Sequence, residues 1–289
     1  MTLLKNIRSH ANYLVPVKIW AIPIATCLFC TTTNTSFAEG SPFAFHTARE
    51  AALLTTGLAG HLIGDWRVRN MDPARPEDLR RADLSPLDRW NAGTWNPRAD
   101  ALSDLAAWGV GGAMLYADLW HLARGESTRQ PFLEDALILA QAFAWNSALN
   151  LNVRAERVHP RPFVYGTAAP ADERAKGQAA GAFYSGHAAS AFLGAVYVST
   201  VYPLRHPDFE HKGWLWAGSL TAATTAAALR VAAGKHFPSD MIAGAAMGSL
   251  VAAGFVQLHL KDGAELWGWR ATPWFTSDGA PGIAAVRGL

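Results

Sequence analysis

The chain has 289 residues, of which half are hydrophobic and 17% are charged, and its formal net charge is +2. This composition provides enough apolar surface for a folded core and excludes an intrinsically disordered chain. The sequence contains no run rich in lysine and arginine, so we expect no nucleic-acid partner.

Residues 1–38 have the layout of a secretory signal peptide. The charged residues in this segment are three basic ones, the stretch 19–30 is apolar, and residues 36–38 (Ser-Phe-Ala) have the small-x-small form of a cleavage site. We therefore predict export to the periplasm or cell envelope, with an uncleaved N-terminal anchor as the alternative. Both cysteines, Cys27 and Cys30, lie in this segment, and we interpret them as apolar positions of the signal.

The predicted main domain covers residues 39–262 and is an all-α, compact bundle of about six core helices. A polar stretch with four prolines, residues 67–100, predicts a long loop with short helical pieces after the first helix. Ser103 and Asp104 give an N-cap signal for the second helix, and Pro131 suits the first turn of the third. The predicted helices cover residues 47–65, 104–122, 131–153, 188–204, 213–229 and 241–258.

The last three predicted helices carry no charged residue and are rich in Ala, Gly, Ser and Thr. Runs of 17–18 residues are just long enough to cross a bilayer, whereas the earlier helices carry more polar residues. We therefore predict a bundle that is soluble or membrane-associated, with an integral membrane protein as the alternative. The tail, residues 263–289, alternates in polarity around a Ser-Asp-Gly turn signal and predicts a short β-hairpin.

The first of three polar blocks runs from Arg154 to Pro162 and follows an apolar helix. Pro160 and Pro162 force its backbone out of helical geometry, so Arg154 and Arg161 are free to project into a pocket. Basic residues also close many helices for electrostatic reasons, so this block alone is weak evidence.

The second block, Ser185-Gly186-His187, directly precedes an uncharged run. A hydroxyl and free backbone N–H groups at a helix start favour an anion, and His187 would be placed to protonate a departing oxygen. A plain N-cap beside an incidental histidine is the alternative interpretation.

The third block contains Arg230, His236 and Asp240. The four-residue spacing of His236 and Asp240 allows the carboxylate to bind one ring nitrogen and leaves the other nitrogen free to attack. A buried structural His–Asp pair is the alternative for this block taken alone.

Taken together, the three blocks resemble the type 2 phosphatidic acid phosphatase and vanadium haloperoxidase superfamily. That family's pattern is Lys-(six)-Arg-Pro, then Pro-Ser-Gly-His, then Ser-Arg-(five)-His-(three)-Asp. Every spacing is kept in this sequence, with three departures from the family's residue types. They are Arg154 in place of lysine, Tyr184 in place of proline and Leu229 in place of serine.

The resemblance implies a helical bundle with its active site at helix ends and a metal-independent phosphatase activity without a cofactor. It implies that His236 is the nucleophile, that Asp240 supports it and that His187 is the general acid. The phosphate would be bound by Arg154, Arg161, Ser185, Gly186 and Arg230.

The uncharged helices beside the three blocks favour a phosphorylated lipid or a pyrophosphate as the substrate, and a membrane surface is a candidate partner. A soluble periplasmic acid phosphatase acting on small phosphomonoesters is the main alternative. Two further alternatives are a vanadium-dependent haloperoxidase, with vanadate bound to His236, and a non-catalytic envelope protein that binds phosphate.

Overall fold

The computed structural model describes residues 40–261 and the backbone of residues 269–275 and 281–287. The predicted signal peptide at residues 1–38 and both cysteines lie outside the described residues.

The described residues confirm the all-α class predicted for the main domain. Two short 3₁₀ turns and helix α2 lie in the stretch predicted to be a loop with short helical pieces. The α-helices in the described part of the chain are α1 (Thr47–Arg69), α2 (Pro86–Arg89), α3 (Pro97–Gly111), α4 (Ala113–Ala123), α5 (Arg129–Ala155), α6 (Ala171–Arg174), α7 (Gly186–Arg205), α8 (Lys212–Ala232) and α9 (Pro238–His259).

The prediction for the second core helix was wrong at its start and in its continuity. Helix α3 begins at Pro97, and the Asn96 side chain caps it by accepting the backbone N–H groups of Arg98 and Ala99. A capping asparagine followed by proline is a stronger start signal than Ser103 and Asp104, because proline suits the first helical position. The helix ends at Gly111, and after Gly112 a separate helix, α4, begins at Ala113. The single helix predicted for this region is therefore two helices.

Helix α7 is the centre of the bundle and packs against α3, α5, α8 and α9. Its side chains are buried almost continuously from Ala188 to Val201, and Leu193 and Tyr197 are completely buried. The absence of charge in this run therefore follows from burial inside the protein. Among the described residues one helix, α9, is long and apolar enough to cross a membrane by length and composition, and 28% of its most apolar window is buried.

Close packing of α7 on α9 requires a residue without a side chain at Gly248. A Cβ atom at this position would lie 1.9 Å from the carbonyl oxygen of Ala189 in α7, which is backbone and is unable to swing away. We expect Gly248→Ala to lower the free energy of unfolding by about 2 kcal/mol or more, since the two helices must separate to admit the methyl group.

The matched control for this prediction is Gly254→Ala in the same helix. A Cβ at Gly254 meets no atom within 4 Å. The control is expected to leave stability unchanged or raise it by up to about 1 kcal/mol through helix propensity. Urea unfolding of both variants measures the difference, and equal stabilities would contradict the close packing of α7 on α9.

The C-terminal hairpin predicted from the sequence is confirmed. Strands β1 (Trp269–Phe275) and β2 (Pro281–Arg287) pair in antiparallel register, with Trp269 opposite Arg287 and Phe275 opposite Pro281. The predicted Ser-Asp-Gly turn at residues 277–279 lies outside the described residues.

Candidate active site

The three polar blocks of the sequence all lie at helix ends. Arg154 is in the last turn of α5, Ser185 is the N-cap of α7, and Arg230 is in the last turn of α8. His236 lies between α8 and α9, and Asp240 is in the first turn of α9. The residues predicted to form the site therefore lie where helices begin or end.

Backbone hydrogen bonds hold the blocks together. The N–H of Ser185 donates to the carbonyl oxygen of Asp240 at 3.0 Å, which joins the second block to the third. The N–H of Ala182 donates to the carbonyl of His159 at 2.9 Å, which joins the second block to the first. The three blocks, which are far apart in the sequence, are thus adjacent in space.

His236 and Asp240 face each other in a buried position. His236 is 2% exposed and Asp240 is 0% exposed. The distance from His236 Nδ1 to Asp240 Oδ2 is 3.4 Å, longer than a normal hydrogen bond. The same carboxylate oxygen accepts the backbone N–H of Phe237 at 2.9 Å, which fixes its position at the start of α9. The carboxylate therefore faces Nδ1 and leaves Nε2 for chemistry.

The His236 ring is neutral at neutral pH. Its pKa is lowered to about 3, mainly by burial and also by the positive charges of Arg161 and Arg230, against the opposing effect of Asp240. A nucleophilic imidazole must be neutral, because the protonated ring has no free lone pair. The surroundings of His236 therefore favour the reactive form.

Arg154 and Arg161 bring two positive charges close together. Arg154 donates its Nε–H to the carbonyl oxygen of Gly181 at 3.3 Å, and its pKa is lowered to about 10 by burial and by Arg230. Burial, Arg154 and Arg230 lower the pKa of Arg161 well below its ordinary value. Its Nε atom is buried and has no hydrogen-bond partner among the described residues. This arrangement is unfavourable without an anion and favourable with one.

Arg230 is bound to one face of α3. Its guanidinium forms an ion pair with Asp100, donates to Ser103 Oγ at 3.0 Å and reaches Asp104 Oδ1 at 3.2 Å. Arg230 is 4% exposed, and burial is the first cause of its lowered pKa. The positive charge of Arg230 is therefore partly neutralised by the carboxylates of Asp100 and Asp104, and it also acts on the nearby Arg161.

His187 is oriented by the same helix. Its Nε2 lies 2.9 Å from Asp104 Oδ1, and this contact is the main reason for the lowered pKa of Asp104. Burial lowers the pKa of His187, and the hydrogen bond that its ring donates to Asp104 partly offsets that effect. Asp104 thus orients the imidazole that the sequence assigned to proton transfer.

Ser185 and Gly186 form the start of α7. The Ser185 hydroxyl is buried and accepts the backbone N–H of Ala188 at 3.3 Å, so it caps the helix. Its oxygen is thus engaged within the helix, while the hydroxyl proton is still available to a phosphate oxygen. Asn150 on α5 donates to the carbonyl of Tyr184 at 2.7 Å and holds the segment before the cap.

Sequence reasoning missed four polar residues that adjoin the site: Asp100, Asp104, His159 and Lys235. A signal was present for the first two, because Asp100, Ser103 and Asp104 are spaced to share one helix face. Lys235 contacts Asp100 Oδ2 at 3.1 Å and lies over the Trp95 ring at 4.7 Å, and nothing in its spacing indicates this. Across residues 40–261 no group of three or more His, Cys, Asp or Glu side chains is placed to hold a metal ion.

Comparison with known proteins confirms the family resemblance. Residues 136–264, which include all three blocks, match the model of the PAP2 superfamily. No curated protein matches the chain. Among solved structures, the first transmembrane PAP2 type phosphatidylglycerolphosphate phosphatase from Bacillus subtilis matches at 17% identity with a TM-score of 0.40, covering 73% of this chain and 92% of its own.

Proposed function

Because residues 136–264 belong to the PAP2 superfamily, we propose that this protein is a phosphatase that hydrolyses phosphate or pyrophosphate esters through a phosphohistidine. One observation carries the proposal: the neutral, buried ring of His236 lies near the charges of Arg161 and Arg230 and next to the carboxylate of Asp240, and Arg154 lies near Arg161. Such a set suits a tetrahedral anion that is to be attacked by nitrogen.

The first chemical step forms a bond between His236 Nε2 and phosphorus and breaks the bond between phosphorus and the ester oxygen. The departing oxygen takes a proton from His187. Asp240 stabilises the positive charge that develops on His236, because its carboxylate faces the Nδ1–H of the ring. Arg154, Arg161 and Arg230 would neutralise the phosphoryl oxygens, and the N–H of Gly186 and the hydroxyl of Ser185 would add directional donors.

The second step returns the enzyme to its starting state. A water molecule gives one proton to His187 and attacks phosphorus with its oxygen, and the bond between phosphorus and Nε2 breaks. Inorganic phosphate leaves, and His187 again carries the proton needed for the next ester. In this scheme the arginines supply the positive charge that Mg²⁺ supplies in many phosphoryl-transfer enzymes, so no cofactor takes part.

A phosphorylated lipid is the substrate class that the surface of the protein favours. Large apolar side chains are exposed on α3, where Leu105 and Trp108 follow Asp104 in the same helix. Trp214, at the other end of α8 from Arg230, is 80% exposed. Neighbouring large apolar side chains that are exposed on one helix are typical of a surface that contacts a membrane or another protein. We therefore propose an exported enzyme that works at the surface of a membrane in the cell envelope.

A panel of substrates tests the proposed function and separates its alternatives. Purified full-length protein in EDTA is expected to release phosphate from p-nitrophenyl phosphate and, faster at equal concentration, from phosphatidate or an isoprenyl pyrophosphate in mixed micelles. Faster turnover of soluble monoesters would identify a broad acid phosphatase. Bromide oxidation with vanadate and peroxide would identify a haloperoxidase, and phosphate binding without any turnover would contradict an enzyme.

Extraction of membranes with alkaline carbonate tests the proposed localisation. A bundle that only docks on the bilayer is released into the supernatant, because carbonate disrupts peripheral contacts. Retention in the pellet would show that at least one helix spans the membrane, for which α9 is the best candidate by length and composition.

A further inference from the structure

His159 lies within the first block, yet no role follows for it from the motif or from the proposed mechanism. Its Nε2 atom is 3.1 Å from Asp240 Oδ1, so it is closer to that carboxylate than His236 is, at 3.4 Å. Asp240 Oδ1 has no aligned hydrogen-bond donor among the described residues, so the attraction between His159 and Asp240 is chiefly that of an ion pair. One carboxylate therefore faces two imidazole rings, one on each oxygen.

The surroundings of His159 favour its charged form. Its Nδ1 faces the carbonyl oxygen of Pro160 at 3.2 Å while its Nε2 faces Asp240, and a ring with an acceptor at each nitrogen is best satisfied by two N–H groups. Burial lowers the pKa of His159, but Asp240 outweighs this effect and the net shift is upward; the charge of Asp88 on α2 acts in the same direction.

The ring of His159 is held in place by the other two blocks. It packs edge-on against Phe237, with ring centres 5.3 Å apart, and against Phe183 at 6.1 Å. Its backbone carbonyl accepts the N–H of Ala182. These contacts fix the distance between His159 and Asp240, so a change in the charge of His159 acts on the carboxylate at constant geometry.

We propose that His159 is a positioning residue that sets how strongly Asp240 supports the nucleophile His236. When His159 is protonated, it draws the negative charge of Asp240 toward itself, and Asp240 stabilises the phosphohistidine cation less. When His159 loses its proton, Asp240 acts fully on His236. This inference rests on the proposed function, because it acts through the nucleophile assigned there.

The test compares the wild type with His159→Gln, which keeps a neutral N–H donor near Asp240 and removes the titratable charge. The rate measured is the burst of p-nitrophenol from p-nitrophenyl phosphate, whose good leaving group depends little on His187. We expect the ratio of the variant's burst rate to that of the wild type to be near one at high pH. The ratio is expected to rise on the order of fivefold as pH falls through the pKa of His159. Below that pKa, His159 of the wild type is protonated and competes with His236 for Asp240, which slows the wild type and not the variant.

A second variant, His159→Phe, guards against a purely structural effect. It keeps an aromatic ring between Phe183 and Phe237 but has neither a charge nor an N–H group. Its ratio to the wild type is expected to show the same rise toward low pH. KM is expected to change less than about twofold in both variants, since the arginines that bind phosphate are untouched.

The matched control is His61→Gln. In the wild type, His61 on α1 forms a hydrogen bond between its Nδ1 and Ser147 Oγ at 2.7 Å. The ratio of this variant's burst rate to that of the wild type should be independent of pH. A ratio for His159→Gln that is equally independent of pH would overturn the inference while leaving the phosphatase intact. Failure of the proposed function looks different, because then the wild type itself would show no burst.

Discussion

Replacement of His236 by glutamine is expected to reduce turnover of p-nitrophenyl phosphate and of a lipid phosphate by at least about 10⁴-fold, because the bond-forming nitrogen is lost. The ring is 2% exposed, so glutamine, which is close to it in size, is preferable to alanine. The helical circular dichroism should be unchanged in both His236→Gln and His236→Ala. Retention of full activity by either variant would remove the nucleophile assignment.

The same substitution has an expected signature in acid stability. The pKa of His236 is about 3 in the folded protein, below its ordinary value of 6.5. As pH falls below 6.5, the unfolded chain takes up a proton that the folded chain does not, so the free energy of unfolding of the wild type decreases. At pH 5 this loss is on the order of 2 kcal/mol, and His236→Gln lacks it.

Urea unfolding at pH 7 and pH 5 measures this difference. The midpoint of the wild type should fall more between the two pH values than that of the variant, since the variant has no imidazole at this position to protonate on unfolding. Equal decreases in the two midpoints would show that the ring is not held neutral in the fold, and the argument for its nucleophilic form would be lost.

Replacement of Arg161 by methionine is expected to lower kcat/KM on the order of a thousandfold and at the same time to stabilise the substrate-free protein. The first effect follows if Arg161 donates two charge-assisted hydrogen bonds to phosphate, as the proposed binding role requires. The second follows from the burial of a cation beside Arg154 and Arg230, which lowers the pKa of Arg161 well below its ordinary value. Removal of an incompletely compensated buried charge should raise the free energy of unfolding by about 1 kcal/mol or more.

Thermal unfolding with and without phosphate separates the two effects. Phosphate should raise the Tm of the wild type, because it binds only the folded protein, and should leave the Tm of Arg161→Met nearly unchanged. Arg157→Met is the matched control, since Arg157 is exposed in the same loop. A variant at Arg161 that is less stable and still protected by phosphate would contradict the anion-binding role.

Arg161 is a sharper test of anion binding than Arg230. The guanidinium of Arg230 already contacts Asp100, Ser103 and Asp104. Replacement of Arg230 would therefore leave two carboxylates without their cation and change the position of α3. Arg161 has a buried Nε without a partner among the described residues, and its loss leaves few groups unpaired.

The sequence predicted the parts of the site that depend on local spacing. The four-residue interval between His236 and Asp240 places them face to face at the start of α9, and Ser185 caps α7 as expected. The all-α class and the C-terminal hairpin were also predictable, because uncharged helical runs and alternating polarity are local patterns.

The contribution of α3 was not predictable in the same way. Ser103 and Asp104 were interpreted as a helix start, because Asp and Ser favour that position, whereas Asn96 is the cap. Asp104 instead contacts His187 and Arg230, which are more than 80 residues away in the chain. A single sequence does not show which carboxylate will meet a distant histidine, since this depends on how the helices pack.

Labelling of the enzyme during turnover tests the central claim most directly. The wild type is mixed with a ³²P-labelled phosphomonoester, quenched in alkali within milliseconds and digested. We expect a phosphoryl group that is stable in alkali, labile in acid and carried by the peptide that contains His236. A label that is stable in acid, or that lies on a peptide without His236, would contradict the phosphohistidine mechanism.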